Sequence, residues 1–132
     1  MVERVIDGDS LMTRHHGKML EIRLWGIDAP EYDQPGAERA TRTLERLTGR
    51  KKIALSVVDQ DKYGRTVALV RAGNTLINEE MVRSGNSWVH RFYCRAPICD
   101  DWLEYERQAR QARLGLWNEE PAVAPWRWKS AR

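Results

Sequence analysis

Three short segments gather the side chains that could act on a phosphate. Ile6-Asp-Gly-Asp-Ser10 sets two carboxylates in a glycine turn. Arg23-Leu-Trp-Gly-Ile-Asp-Ala-Pro-Glu31 adds a fixed cation, two more carboxylates and a proline turn, and Asp61-Lys-Tyr-Gly-Arg65 adds a second guanidinium. Together they offer carboxylates for a hard cation, a spare carboxylate as a base, and two guanidinium groups for a phosphate. A phosphodiester repels attacking hydroxide and expels a poor alkoxide. A bound divalent ion relieves both problems by polarising a phosphoryl oxygen and orienting water. Guanidinium is planar, permanently charged and bidentate toward phosphate oxygens, a geometry that lysine cannot copy. The inventory suits metal-assisted phosphodiester hydrolysis.

Taken singly, each residue has a plainer reading. Aspartate in a glycine-containing turn usually shapes the turn. An isolated glutamate is ordinarily a surface residue, and a strand or hairpin arginine ordinarily sits in a surface ion pair.

The elements that must position these residues follow from periodicity. Val2 to Ile6, Ser10 to Arg14 and Lys18 to Ile27 read as strands, with a turn at His15-His16-Gly17. Pro30 ends this region. Ala37, Ala40, Leu44 and Leu47 place a helix over about 36–48, with Gly49 as its cap. Lys52 to Val58, Thr66 to Val70 and Thr75 to Ile77 read as strands, the last two as a hairpin across Ala72-Gly73-Asn74. Asn78 is expected to cap a short helix closed by Gly85, and a last helix spans about 100–114. Trp25, Trp88, Trp102 and Trp117 are expected in the core. Five strands and three helices suggest an α+β protein built on an oligonucleotide-binding-type barrel over 1–117. Residues 118–132, with Trp126 and Trp128, read as an irregular tail packed on it.

With 132 residues, one domain with its own core is expected. A net charge of +3 favours an anionic partner only weakly. No apolar run is long enough for a transmembrane helix, and the opening Met1-Val-Glu-Arg-Val-Ile-Asp is strand-like rather than a signal peptide. Cys94 and Cys99 either form a local disulfide or stay free thiols. His15, His16 and His90 show no zinc-ligand spacing with them.

The chain resembles staphylococcal nuclease and its thermonuclease-like relatives. The matching stretches are Val5 to Ser10, Ile22 to Glu31, Asp61 to Arg65, Ile77-Asn-Glu-Glu-Met-Val-Arg-Ser-Gly85 and Leu114-Gly-Leu-Trp117, in family order. The resemblance implies a five-stranded barrel with three helices and calcium-dependent cleavage of DNA and RNA. It implies one calcium ion held by Asp9, Asp28 and the main-chain carbonyl of Ala29. It implies Glu31 as general base, with Arg23 and Arg65 on the phosphate and Lys62, Tyr63 and Tyr93 as substrate contacts. Export from the cell is also expected, with no membrane or obligate protein partner. The exit loop after Glu31 is shorter than in the founding enzyme, and Arg91 replaces an aromatic residue. The alternative is a non-catalytic module that binds nucleic acid or protein. Against it, no expected catalytic position has been lost.

Overall fold

A computed structural model describes residues 1–118 and 122–130. In chain order the elements are β1 (Val2–Asp7), β2 (Ser10–His15), β3 (Lys18–Leu24), β4 (Ile27–Asp28), α1 (Ala37–Thr48), β5 (Ala54–Gln60), β6 (Thr66–Ala72), β7 (Thr75–Leu76), α2 (Ile77–Arg83), β8 (Trp88–Val89), α3 (Ile98–Gln111), a 3-10 turn (Gly115–Asn118) and α4 (Pro125–Ser130). Five strands lie in the order β1-β2-β3-β6-β5. The first three form an antiparallel meander, β6 joins β3 in parallel, and β5 returns antiparallel to β6. The Val2 N–H donates to Lys51 O at 3.2 Å, drawing the first strand toward the approach to β5. The α+β class and the barrel path match the sequence reading.

Strand alternation fills the barrel. Leu11, Ile22, Leu24, Ala68 and Val70 point inward, the last two pairs spaced two apart as a pleated strand requires. Leu44 of α1, Ile77, Met81 and Val82 of α2, and Trp102 of α3 close over them. A second cluster of Trp88, Ala109, Leu116, Trp117 and Ala124 joins α3 to the segment that leads into α4. No helix among the described residues is long and apolar enough to cross a membrane.

The strand expected over 18–27 is in fact two. β3 stops at Leu24, and the chain turns through Gly26 at φ 81° before β4 pairs with β8. A Cβ on Gly26 would lie 2.9 Å from the Trp102 ring and 3.0 Å from Cys94 Sγ, so α3 packs directly on this turn. The expected irregular tail also needs correction. Pro125–Ser130 is helical, while residues 119–121 and 131–132 lie outside the described residues. Cys94 and Cys99 are bridged.

Asn78 is structural, but not as a cap. Leu76 holds the N-cap position of α2 and makes no side-chain cap bond. Asn78 is buried and ties three strand-level groups together. Its Oδ1 accepts the Val70 N–H at 2.9 Å, and its Nδ2 donates to Trp25 O and Ala68 O at 3.0 and 3.1 Å. Polar groups left unpaired in a core are costly. Asn78→Ala is therefore expected to lower unfolding free energy by about 2–4 kcal/mol in urea titration.

Candidate active site

The Asp7-Gly8-Asp9 turn between β1 and β2 is pinned by Asp7. Its Oδ1 accepts the Asp9 N–H at 3.1 Å and the Ser10 hydroxyl at 2.7 Å. Burial works to raise the Asp7 pKa, but these hydrogen bonds from Asp9 and Ser10 outweigh it and hold the carboxyl below its usual range. Gly8 lets two other elements close on the turn. A Cβ there would stand 2.7 Å from Ala40 Cβ of α1 and 2.8 Å from Ala29 Cβ.

Asp9 is thereby held inside the protein. Its carbonyl accepts the Leu24 N–H at 2.8 Å, and its Oδ2 accepts the Ala29 N–H at 2.8 Å. Register places Ser10 opposite Arg23, so the arginine on β3 faces the turn. Arg23 Nη1 lies 3.3 Å from Asp9 Oδ2, and Nη2 lies 3.5 Å from Asp28 Oδ1. Asp28 arrives from the other direction, at the end of β4, because the Gly26 turn and the β4–β8 pairing redirect the chain. The structure brings Asp9, Asp28 and Arg23 into one polar cluster, with Ala29 bound to it through its amide.

Loss of water dominates the electrostatics. Burial pushes the Asp9 carboxyl up to about 8, although the Arg23 charge opposes this. Burial also raises Asp28, again against the pull of Arg23. For Arg23 the balance reverses: burial would lower its pKa, but the charges of Asp9 and Asp28 raise it. Two buried acids facing one cation are under-neutralised. This donor set fits a further hard cation, since calcium accepts carboxylate, carbonyl and water oxygens in flexible numbers. Among the described residues no group of three or more His, Cys, Asp or Glu side chains forms a metal cluster. Two carboxylates would thus need main-chain and solvent oxygens to complete a shell.

Glu31 follows Pro30 in the exit loop, where its N–H donates to Gln34 Oε1 at 3.0 Å and its carbonyl accepts the Gln34 N–H at 2.8 Å. Its charge acts on Asp28, and its Oε2 lies 3.7 Å from Lys129 Nζ. Arg65 stands just before β6, whose Thr66 pairs with Ile22 next to Arg23. Asp61 orients it: Oδ2 accepts Arg65 Nε at 2.7 Å, while Oδ1 accepts the Tyr63 and Arg65 N–H groups, both at 2.9 Å. The Asp61 charge also reaches Arg23. Lys62 and Tyr63 flank Arg65, with Lys62 Nζ 5.3 Å and Arg65 Cζ 5.7 Å from the exposed Tyr63 ring. Tyr93 lies in the segment after β8, its exposed ring 4.5 Å from His90. Arg91 pairs with the buried Glu106 at 2.6 Å.

Sequence reasoning counted Asp7 among the carboxylates of the Asp-Gly-Asp turn without assigning it the role of holding that turn, and it missed His90 and Lys129 as site residues. His90 and Lys129 carry no local signal, because contacts distant in sequence bring them to the site. A cleft of about 420 Å³ lined by Arg39, Arg42 and Arg46 of α1 shares none of these residues.

A family model for staphylococcal nuclease homologues matches residues 21–119. A micrococcal nuclease of Shigella flexneri is 37% identical over 139 residues, spanning 98% of this chain and 79% of that protein. A protein of Escherichia coli described as an uncharacterized endonuclease is 34% identical over 129 residues, 97% of this chain and 82% of its own. A probable staphylococcal-like nuclease of Oryza sativa subsp. japonica is 35% identical over 108 residues, 82% of this chain and 28% of its own.

The raised Asp9 carboxyl sets a pH test. Its folded pKa of about 8 exceeds the ordinary 3.8, so its contribution to stability is present below about pH 4 and lost as pH rises through 8. Asp9→Asn removes that loss. In unfolding measurements with EDTA, the stability of Asp9→Asn relative to the parent is expected to climb from pH 4 to pH 8. A pH-independent difference would contradict it.

Proposed function

The chain belongs to the staphylococcal nuclease family and is a nuclease, and from that premise we propose that it is a calcium-dependent hydrolase of DNA and RNA with little sequence preference. The observation that carries this reading is the convergence of Asp9 and Asp28 on Arg23, with the Glu31 charge acting on Asp28. Asp9, Asp28 and the carbonyl of Ala29 would hold one calcium ion. When bound, calcium supplies charge that polarises a phosphoryl oxygen and orients water.

The chain's own residues do the rest. Glu31, fixed by Pro30 and Gln34, takes the proton of the attacking water. Arg23 and Arg65 bind the non-bridging oxygens, where negative charge builds as phosphorus becomes five-coordinate. Because that charge is larger in the transition state, the two guanidinium groups favour it over the bound substrate. Arg23 is pre-positioned by its two carboxylates and Arg65 by Asp61, so little reorganisation is needed at the moment of reaction. Lys62, Tyr63 and Tyr93 hold the strand on either flank, and stacking on tyrosine tolerates any base. The Cys94–Cys99 bridge favours an oxidising compartment and so supports export.

Glu31→Gln is expected to lower kcat by about 10²- to 10⁴-fold with an unchanged circular dichroism spectrum. Cleavage of single- and double-stranded DNA by the parent is expected to stop on addition of EGTA and return with excess calcium. Undiminished cutting by Glu31→Gln would reject the base. Tight, salt-sensitive binding without cleavage by the parent would instead favour a non-catalytic module.

A further inference from the structure

The helix α4 lies beyond the stretch that the family model matches, yet it is fastened to the rim of the site. With six residues it is too short to persist by helix propensity alone. Tertiary contacts hold it. Gln34 Nε2 donates to Val123 O, and Trp128 Nε1 donates to Asp33 Oδ1 at 2.9 Å. Both partners belong to the exit loop that carries Glu31. The Trp126 ring sits 5.7 Å from His90, and Lys129 Nζ sits 3.7 Å from Glu31 Oε2.

Lys129 has spare capacity. A contact of 3.7 Å is longer than a charge-assisted hydrogen bond, and the side chain is 61% exposed. An ammonium offers three donors. Its charge acts on both Asp28 and His90, so it stands at the site beside the base. The aromatic rings make a continuous run. Trp126 meets His90 at 5.7 Å, and His90 meets Tyr93 at 4.5 Å and Phe92 at 6.1 Å. Tyr93 and Phe92 are exposed. His90 Nδ1 accepts the Phe92 and Tyr93 N–H groups, so this nitrogen carries no proton and the ring is a neutral face.

We propose that α4 completes a subsite for the nucleotide flanking the scissile phosphate: Lys129 takes that nucleotide's phosphate, and the Trp126–His90–Tyr93 run receives its base. The subsite rests on the nuclease reading above and deepens it. It makes α4 a substrate-binding element, distinct from a latch that masks Glu31 and from a brace that only stabilises the fold.

The test uses a fluorescein-labelled oligothymidylate. Anisotropy binding is measured with EDTA to prevent cutting, and steady-state cleavage with calcium, across about 50 to 200 mM NaCl. Lys129→Met is expected to raise Kd and KM about fivefold, to leave kcat within about twofold, and to flatten the salt slope by about 0.7. Trp126→Ala is expected to weaken binding about fivefold or more, equally for oligoadenylate. Thermal unfolding of both variants identifies any loss that comes from misfolding. Unchanged KM and salt slope in a folded Lys129→Met would overturn the subsite. A rise in kcat for that variant would do so too, by showing that Lys129 masks the base. A parent that cuts nothing would instead defeat the nuclease reading, and the anisotropy measurements would then decide on α4 by themselves.

Discussion

The structure is organised around the cost of burying Asp9. A carboxylate stripped of water is tolerated only if the protein returns charge and hydrogen bonds to it. Here one amide, Ala29, and one guanidinium, Arg23, return part of that, and the carboxyl stays hard to ionise. A hydrophobic residue at position 9 would spare the fold this cost. Retaining an acid there, with Asp28 beside it, makes sense for a site that gains its missing positive charge from a ligand.

Several features of the fold serve that burial. Gly8 lets α1 and the Ala29 side chain close over the turn, and Asp7 holds the turn through the Asp9 N–H and the Ser10 hydroxyl. The bend at Gly26 takes the chain out of the barrel sheet, so that Asp28 approaches Arg23 from a second direction. Asn78 fastens the same bend to β6 through Trp25 and Ala68. Packing of Trp102 against Gly26 links this bend to α3. Small residues and one buried amide thus set the distance between acids that are far apart in sequence.

Much of this was legible in the sequence. Strands over 2–6, 10–14 and 66–70 were read close to where they lie, and the α1 periodicity predicts a helix of nearly the observed length. Arg23, Asp28 and Glu31 stand out because a proline turn follows a strand. The break of the strand at Gly26 was missed because Ile22 to Ile27 is apolar enough to read straight through. Asn78 was misread because an asparagine before two glutamates looks like a cap, whereas burial turned it into a tie between strands. α4 was missed because its six residues have no periodic signal; contacts with Asp33, Gln34 and His90, not local propensity, make it a helix. Where tertiary contacts override local preference, sequence patterns are weakest.

In the function proposed above, acids from two separate segments share one ion. Isothermal titration of calcium into the metal-free parent, Asp9→Asn and Asp28→Asn tests it most directly. We expect about one ion bound per chain by the parent, and severe loss of binding in both variants while each stays folded. Parent-like calcium affinity in either folded variant would contradict the shared site.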